Sequence, residues 1–380
     1  MPQTVLLTCS DANSLRNFRG RLIASMRSAG YHVVAVAPSF PPAIAQWCSE
    51  VGVAMEATSL DNQSLNPLKD LTALSELYSI MRRRRPDIVM GYTHKPALYT
   101  AFAAKLAGVP RVTMMVTGMG FGFEPGEGLA RRLVPAITKT LFRIGCAASE
   151  RIIFHNRDNL RFFLENRLLR KASKAVVVGG SGVDLAEFPP QPAEPAQDGG
   201  LTFLLIGRIV RYKGILEYAR AAEALKARYP NAKFLLAGYR DSNPLAYTDD
   251  EWDFISRHVE YVGPSNDVRS LYQRAHVYVL PSYGEGMPRT VLEAMASQRA
   301  IITTDTYGCR DTVEEGVNGH LVPIRQWAPL ADAMERFLDG RSSHLTMGAA
   351  SLERARALFD VEAVNRDMFA ALGLKAESSG

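Results

Sequence analysis

Residues 276–294 read His276-Val277-Tyr278-Val279-Leu280-Pro281-Ser282-Tyr283-Gly284-Glu285-Gly286-Met287-Pro288-Arg289-Thr290-Val291-Leu292-Glu293-Ala294. The run before Pro281 is apolar enough for a strand buried on both faces of a parallel sheet. Pro288 suits the first position of a helix, where its missing N–H costs nothing. The Glu285-Gly286-Met287 loop would then bring free backbone N–H groups to a helix N-terminus, where an anion is favoured. Glu285 would sit in the loop and Glu293 in the second helical turn, flanking that anion. Such an arrangement suits a sugar nucleotide, with amides on the diphosphate, one carboxylate on the sugar and the other on the ribose. In isolation, two unrelated glutamates placed to favour the helix dipole would look the same.

A second segment upstream weighs against that coincidence. Phe203-Leu204-Leu205-Ile206 reads as a strand that ends in Gly207-Arg208 and runs through Ile209-Val210-Arg211-Tyr212 into Lys213-Gly214. Gly207 permits a sharp exit at the carboxyl end of the strand, where open α/β sheets bind ligands. Arg208 and Lys213 share one loop entering a helix, and two cations there fit a diphosphate.

Strands and helices alternate along the whole chain, the pattern of an α/β protein with parallel sheets. Strands are expected at 5–8, 33–37, 87–90, 111–116, 152–155 and 176–178, and helices at about 17–29, 71–84, 96–107 and 129–147. A Pro-rich, irregular stretch over 188–200 reads as a linker. Beyond it the alternation resumes, with strands at 203–206, 233–236, 259–262, 278–280 and 300–303, and helices at 214–228, 266–274 and 289–298. One further helix is expected over about 352–371.

With 380 residues and 47% apolar content, two ordinary domains are expected. Cys9, Cys48, Cys146 and Cys309 are widely spaced, without a CxxC or a Cys/His cluster. That spacing argues against a zinc site or disulfide framework and suits a reducing compartment. The first ten residues read as a strand rather than a signal peptide. No apolar run approaches the roughly 20 residues needed to span a bilayer. Residues 1–190 hold 23 basic against 14 acidic side chains, and residues 191–380 hold 21 against 25. The basic half, with Arg82–Arg85, Arg131-Arg132 and Arg167…Arg170-Lys171, could approach an anionic membrane surface. Residues 129–147 add a basic amphipathic helix compatible with a membrane interface. No nucleic-acid-binding motif accompanies the charge.

The pairing of Gly207-Arg208…Lys213-Gly214 with Glu285…Glu293 resembles the donor half of the retaining glycosyltransferases of family 4. Asn66-Pro67, His94-Lys95, Thr117-Gly118-Met119-Gly120 and Gly238-Tyr239-Arg240-Asp241-Ser242-Asn243-Pro244 resemble its bacterial branch that builds lipid-linked glycans. The resemblance implies an α/β GT-B fold, two Rossmann-like doubly wound domains facing across a cleft. Residues 1–185 would bind the acceptor, 186–200 would link, 201–351 would bind the nucleotide sugar, and a helix over about 352–380 would return to the first domain. The implied reaction moves a sugar, an N-acetylhexosamine such as GalNAc, from a UDP-sugar to an undecaprenyl-diphosphate-linked saccharide with retention. The implied location is peripheral, at the cytoplasmic face of a bacterial inner membrane.

Roles follow residue by residue. Arg208 and Lys213, with the amides of Gly286 and Met287, would meet the leaving diphosphate. Glu285 would orient the sugar and Glu293 would bind the ribose. His94 would donate to the transferred sugar or acceptor, and Lys95 would meet the acceptor diphosphate. Asn17 and Arg19, in the first strand–helix loop, would reach the acceptor, as would the Gly118 and Gly120 loop with its aromatic rings. That first loop lacks the paired glycines many family members carry. No Asp-x-Asp triplet occurs in the chain, so neither a donor-bound metal nor another cofactor is expected. A retaining glycosidase, whose two carboxylates stand about 5–5.5 Å apart, would not need a cationic diphosphate loop. Three alternatives stay open: the same chemistry on a soluble acceptor, a UDP-sugar epimerase, and a non-catalytic nucleotide-sugar sensor.

Overall fold

A computed structural model describes residues 2–61, 66–119, 123, 129–195, 200–240, 246–265 and 267–375, the side chains of 129–133 aside. The chain divides into two units, Met1–Ser181 with Ala363–Gly380, and Gly182–Glu362.

The first unit runs β1 (Thr4–Thr8), α1 (Asn13–Ser28), β2 (His32–Ala37), α2 (Pro42–Glu50), β3 (Ala54–Ala57), α3 (Pro67–Arg84), β4 (Ile88–Tyr92), α4 (His94–Ala107), β5 (Arg111–Val116), α5 (Leu129–Ala148), β6 (Arg151–Phe154), α6 (Arg157–Glu165) and β7 (Ala175–Val177). The second runs β8 (Thr202–Ile206), α7 (Ile215–Lys226), β9 (Lys233–Ala237), α8 (Asp249–His258), β10 (Glu260–Gly263), α9 (Arg269–Arg274), β11 (Val277–Leu280), α10 (Arg289–Ala296), β12 (Ala300–Thr304), β13 (Gly319–Val322), α11 (Trp327–Leu338) and α12 (His344–Leu358). Helix α13 (Val361–Leu372) then carries the chain back into the first unit.

Local chemistry sets the helix ends. The Asn66 side chain accepts from Leu68 N–H at 3.0 Å, with Pro67 opening α3. Thr248 and Glu251 form a reciprocal capping box on α8. The Lys174 ammonium closes the end of α5, donating to the carbonyls of Cys146, Ala147 and Ser149 at 3.2, 3.3 and 2.6 Å.

Both sheets are parallel throughout, in the orders β3-β2-β1-β4-β5-β6-β7 and β10-β9-β8-β11-β12-β13. In each, the strand order reverses beside the first strand, between β1 and β4 and between β8 and β11. Connections there leave in opposite directions, so the loops after those strands part at the carboxyl edge, the place where such sheets bind ligands. Apolar side chains fill both faces of each sheet. In the first unit Val5, Leu7 and Met90 pack against Leu15 and Leu22 of α1 and Met368 of α13, while Leu6, Val34 and Val89 pack against Leu77 of α3 and Ala104 of α4.

Several expectations need correction. Helix α1 begins at Asn13, so Asn17 and Arg19 belong to its body rather than to the preceding loop. Helix α4 begins at His94, making His94 and Lys95 its first two residues; Pro96 is tolerated anywhere in a first turn and does not mark the start. The expected C-terminal helix is two, α12 and α13, and residues up to Glu362 belong to the second unit. The stretch read as a linker is docked on that unit too: Phe188 is buried in its core, and the Arg299 guanidinium donates to the Gln191 carbonyl at 2.6 Å.

Histidines are built into this interior as neutral groups. His276 Nδ1 accepts from Thr202 N–H at 3.0 Å, and burial, with His344 and Arg299 nearby, lowers its pKa to about 4. His155 is depressed as well, by burial and then by Arg19. A base whose folded pKa lies below its unfolded value of about 6.5 is protonated preferentially in the unfolded chain, so stability falls as pH falls between the two. Thermal unfolding should therefore drop steadily from pH 6.5 to pH 4, His276 contributing on the order of 2 kcal/mol. His276→Asn keeps an acceptor for Thr202 N–H without the titration and should flatten that profile; an unchanged slope would remove His276 as its source.

Candidate functional site

In the second unit, the loop after β8 and the loop after β11 meet at the point of strand reversal. The Tyr212 carbonyl accepts from Tyr283 N–H at 2.8 Å and lies 3.0 Å from the Ser282 hydroxyl oxygen. Glu285 N–H donates to the Tyr307 carbonyl at 3.1 Å. Two glycines permit these approaches. Gly214 has φ +70°, and a Cβ on it would lie 2.0 Å from the Pro281 carbonyl oxygen. Gly308 has φ +76°, and its Cβ would lie 2.4 Å from the Glu285 carbonyl oxygen.

The stitching joins Lys213 to Glu285. Lys213 Nζ lies 2.5 Å from Glu285 Oε1, each side chain 15% exposed, and the Ser282 hydroxyl donates to the same oxygen at 2.7 Å. Burial works against the Lys213 charge, but the Glu285 carboxylate outweighs it and holds the ammonium above its ordinary pKa. Arg208 is exposed, bonded to the Tyr212 hydroxyl with its guanidinium 5.7 Å from that ring, and Lys213 Nζ lies 5.7 Å from the same ring. Cys309, beneath the pair, is pushed up to about 12 by burial and then by Glu285, so it stays a thiol.

Glu293 has a different setting. It is 6% exposed, with Oε1 accepting from Arg289 Nε at 2.7 Å and Oε2 from the Tyr272 hydroxyl at 3.0 Å. Burial raises its pKa against the opposing pull of Arg289 and Tyr272. The two carboxylates of the Glu-x7-Glu segment thus differ physically: Glu285 joins two loops, whereas Glu293 is fixed inside the start of its own helix.

The amides depart from expectation in two ways. Pro288 caps α10 from outside, with ψ 100°, and Arg289 is the first helical residue. Of the Glu285-Gly286-Met287 amides, Glu285 N–H is spent on Tyr307, and Met287 N–H has no partner among the described residues. The start of α7 is also closed: the Tyr247 hydroxyl accepts from Ile215 and Leu216 N–H at 3.1 and 3.3 Å. Arg208 and Lys213 therefore stand beside a helix whose first two amides are already used. Tyr212, Tyr247, Ser282, Tyr307 and Gly308 carried no motif signal; only the flanking Gly-x-x-x-x-x-x-Gly spacing of the 207–214 loop hinted at close packing.

The first unit holds His94 at its own point of strand reversal. Thr93, between β4 and α4, has φ 71° and ψ −178°, a conformation essentially confined to glycine, and its hydroxyl lies 3.2 Å from that of Ser10 after β1. His94 Nε2 donates to the Met119 carbonyl at 2.9 Å, beside Gly118 in the loop after β5, and burial lowers its pKa, keeping the imidazole neutral near pH 7. Lys95 Nζ is paired with Asp70 of α3 at 2.7 Å. Asn17 is exposed on α1. Arg19 is not at the surface: it is 3% exposed, its Nη2 2.9 Å from Met115 Sδ and 3.1 Å from His155 Nε2, and burial pushes it down to about 10. Gly120 and residues 121, 122 and 124–128 lie outside the described residues, as do 241–245. Phe123, expected as a ring beside the acceptor, packs into a phenylalanine cluster with Phe142, Phe162 and Phe163. Among the described residues no three His, Cys, Asp or Glu side chains group to hold a metal.

The Lys213–Glu285 bond is testable by itself. Removing one partner of a buried pair strands the other charge, at about 3–5 kcal/mol. Lys213→Met and Glu285→Gln should each lower the unfolding temperature, and the double variant should lose less than the sum, with a coupling of about 1–3 kcal/mol. Additive losses would show that the pair does not form in solution.

Comparison with known proteins agrees with this geometry. Residues 200–340 match the model "Glycosyl transferases group 1" and residues 16–188 match "Glycosyl transferase 4-like domain". The chain is 26% identical over 353 residues (90% of it, 91% of the relative) to the Campylobacter jejuni N,N'-diacetylbacillosaminyl-diphospho-undecaprenol alpha-1,3-N-acetylgalactosaminyltransferase. It is also 26% identical, covering 73% of each chain, to an Escherichia coli UDP-Gal:alpha-D-GlcNAc-diphosphoundecaprenol alpha-1,3-galactosyltransferase. Among solved structures, a glycosyltransferase from Rickettsia africae superposes with a TM-score of 0.78 at 18% identity, covering 97% of both chains. Anabaena HepE in complex with UDP superposes at 0.75 and 16% identity, covering 98% of this chain and 99% of that one. The chain belongs to family 4 of the glycosyltransferases and has the two Rossmann-like domains of the GT-B fold.

Proposed function

We propose that the protein transfers an N-acetylhexosamine, GalNAc first among the candidates, from a UDP-sugar to a saccharide linked to undecaprenyl diphosphate, with retention and without a metal. The observation that carries this reading is the Lys213–Glu285 pair, held by two loops at the carboxyl edge of the second sheet. Charge builds on the diphosphate as the sugar–oxygen bond breaks, and a fixed ammonium is worth most where surrounding protein excludes water. Lys213 supplies that charge, Arg208 a second, exposed cation able to swing onto phosphate, and Met287 N–H a neutral donor. When the diphosphate takes Lys213, the Glu285 carboxylate is released to hold the sugar hydroxyls. Glu293, rigid against Arg289 and Tyr272, offers its remaining lone pairs to the ribose. His94, neutral and fixed by Met119, lines the acceptor side, with Gly118 beside it; Lys95 and Arg19 act there through Asp70 and His155.

The acceptor class and the UDP nucleotide are supported by what the Campylobacter, Escherichia and Anabaena relatives act on or bind. Peripheral attachment to the cytoplasmic face of a bacterial inner membrane is supported by the basic charge of the N-terminal half, and no described helix is long and apolar enough to cross a membrane.

The deciding experiment is label transfer from a panel of UDP- and GDP-sugars to undecaprenyl-diphosphate-linked saccharides, with an acceptor-free control. Label should reach the lipid from one UDP-sugar, persist in EDTA, and fall about 100-fold or more with Glu285→Ala, the scale of losing one transition-state contact. Bound donor with no lipid product would sink the acceptor assignment, and loss in EDTA would sink the metal-free mechanism.

A further inference from the structure

One face of the first unit holds a hollow that the transfer reaction leaves unused. Arg143, Leu164, Arg167, Leu169 and Arg170 line a cavity of about 680 Å³ between α5 and the turn that follows α6. Its wall is well braced. Arg143 donates through Nε to the Arg167 carbonyl at 3.1 Å and through Nη2 to the Asn166 carbonyl at 3.3 Å. Lys139, one turn earlier on α5, donates to Asn166 Oδ1 at 2.8 Å. These cations answer the negative end of the α6 dipole. Arg167 turns the chain with φ +54°, a left-handed conformation uncommon outside glycine and asparagine.

The charge in the hollow is unbalanced. Arg211, Arg228 and Arg289 are each paired with a carboxylate, those of Glu251, Glu335 and Glu293. Among the described residues, no carboxylate lies within ion-pair distance of Arg143, Arg167 or Arg170. Three guanidiniums around one space, each able to present parallel N–H donors, suit a phosphate, whose oxygens can accept from several of them. Leu164 adds an apolar side chain to the lining, 36% exposed.

We propose that this hollow is a phosphate site, and that its phosphate is the headgroup diester of an anionic membrane lipid. The guanidiniums supply the recognition. The exposed Leu164 supplies the preference for a phosphate attached to acyl chains over a free one. The site rests on the peripheral attachment proposed above and gives it a defined contact, sharing no residue with the donor or acceptor groups.

Arg167→Asn, which suits a left-handed turn, combined with Arg170→Gln removes two cations and spares the bracing by Arg143. The comparison variant is Arg16→Gln with Arg366→Gln, an equal charge loss on α1 and α13, where both side chains are exposed. Binding is measured to phosphatidylcholine vesicles with and without phosphatidylglycerol, and stabilisation by inorganic phosphate is followed by thermal shift at constant ionic strength. The Arg167/Arg170 variant should lose about tenfold or more in affinity for the anionic vesicles, and the Arg16/Arg366 variant less than about threefold. Saturable stabilisation by phosphate that only the first variant loses, with vesicle binding alike in both, would keep the site and assign it to soluble phosphate. Equal vesicle losses with no difference in phosphate response would overturn it, leaving net charge as the explanation. UDP binding, read in every variant, should stay constant, which separates failure of this site from failure of the transfer reading. If the double variant unfolds, Arg170→Glu alone gives the same comparison.

Discussion

A parallel sheet cannot grow outward from its first strand in both directions without parting two loops at its carboxyl edge. In the second unit the parted loops follow β8 and β11; in the first they follow β1 and β4. Everything chemical described above hangs on that constraint. It places Lys213 against Glu285 although 72 residues separate them, and it sets Ser10 against Thr93 across 83. The backbone bonds from the Tyr212 and Tyr307 carbonyls then fix the loops so that the charges meet inside protein rather than in water, where an ion pair is worth little.

The two units treat their edges differently. In the second, Lys213 and Glu285 are paired and partly buried, and a ligand that takes Lys213 must compete with Glu285. In the first, the polar centre is a neutral imidazole behind a strained residue. Thr93 adopts a conformation that costs roughly 1–3 kcal/mol, offset by the packing of β4 and α4, and the strain directs the first turn of α4 so that His94 reaches Met119. Arg19, buried beside His155, adds positive charge beneath this edge without being exposed to solvent.

Most of the fold was legible because buried parallel strands announce themselves. Runs such as Val277–Leu280 and Phe203–Ile206 carry no charged residue and end at Pro281 and Gly207. Some of what escaped was marginal in pattern: strand β3 is a partly exposed sheet edge, β13 opens with Gly-His, and α8 begins with three acidic residues that read as loop. Helices α2, α6 and α11 were not expected either. Pro96 does not open its helix, since α4 begins two residues earlier at His94, and Pro288 caps α10 from outside. At the site, the ends of the motifs were readable and their partners were not. Nothing local in the sequence ties Tyr247 to the start of α7, or Tyr307 to Glu285, since such contacts exist only once the strands have been ordered. Arg19 and Lys95 were expected at the acceptor because a single sequence does not display the buried His155 and partly exposed Asp70 that receive them.

The return of the chain at Ala363 bears on how the molecule is made. Val364, Met368, Phe369, Ala371, Leu372 and Leu374 complete the core formed by β1, β2 and α1, and Tyr31 bonds to the backbone of Lys375. A ribosome therefore releases the whole second unit before it delivers the last strip of the first one's interior. The N-terminal unit, translated first, is finished last. Through most of synthesis it carries an uncovered apolar stripe, a surface for chaperones to shield. A stop codon near residue 362 would leave that stripe bare for good and mark the earlier domain, not the later one, for removal.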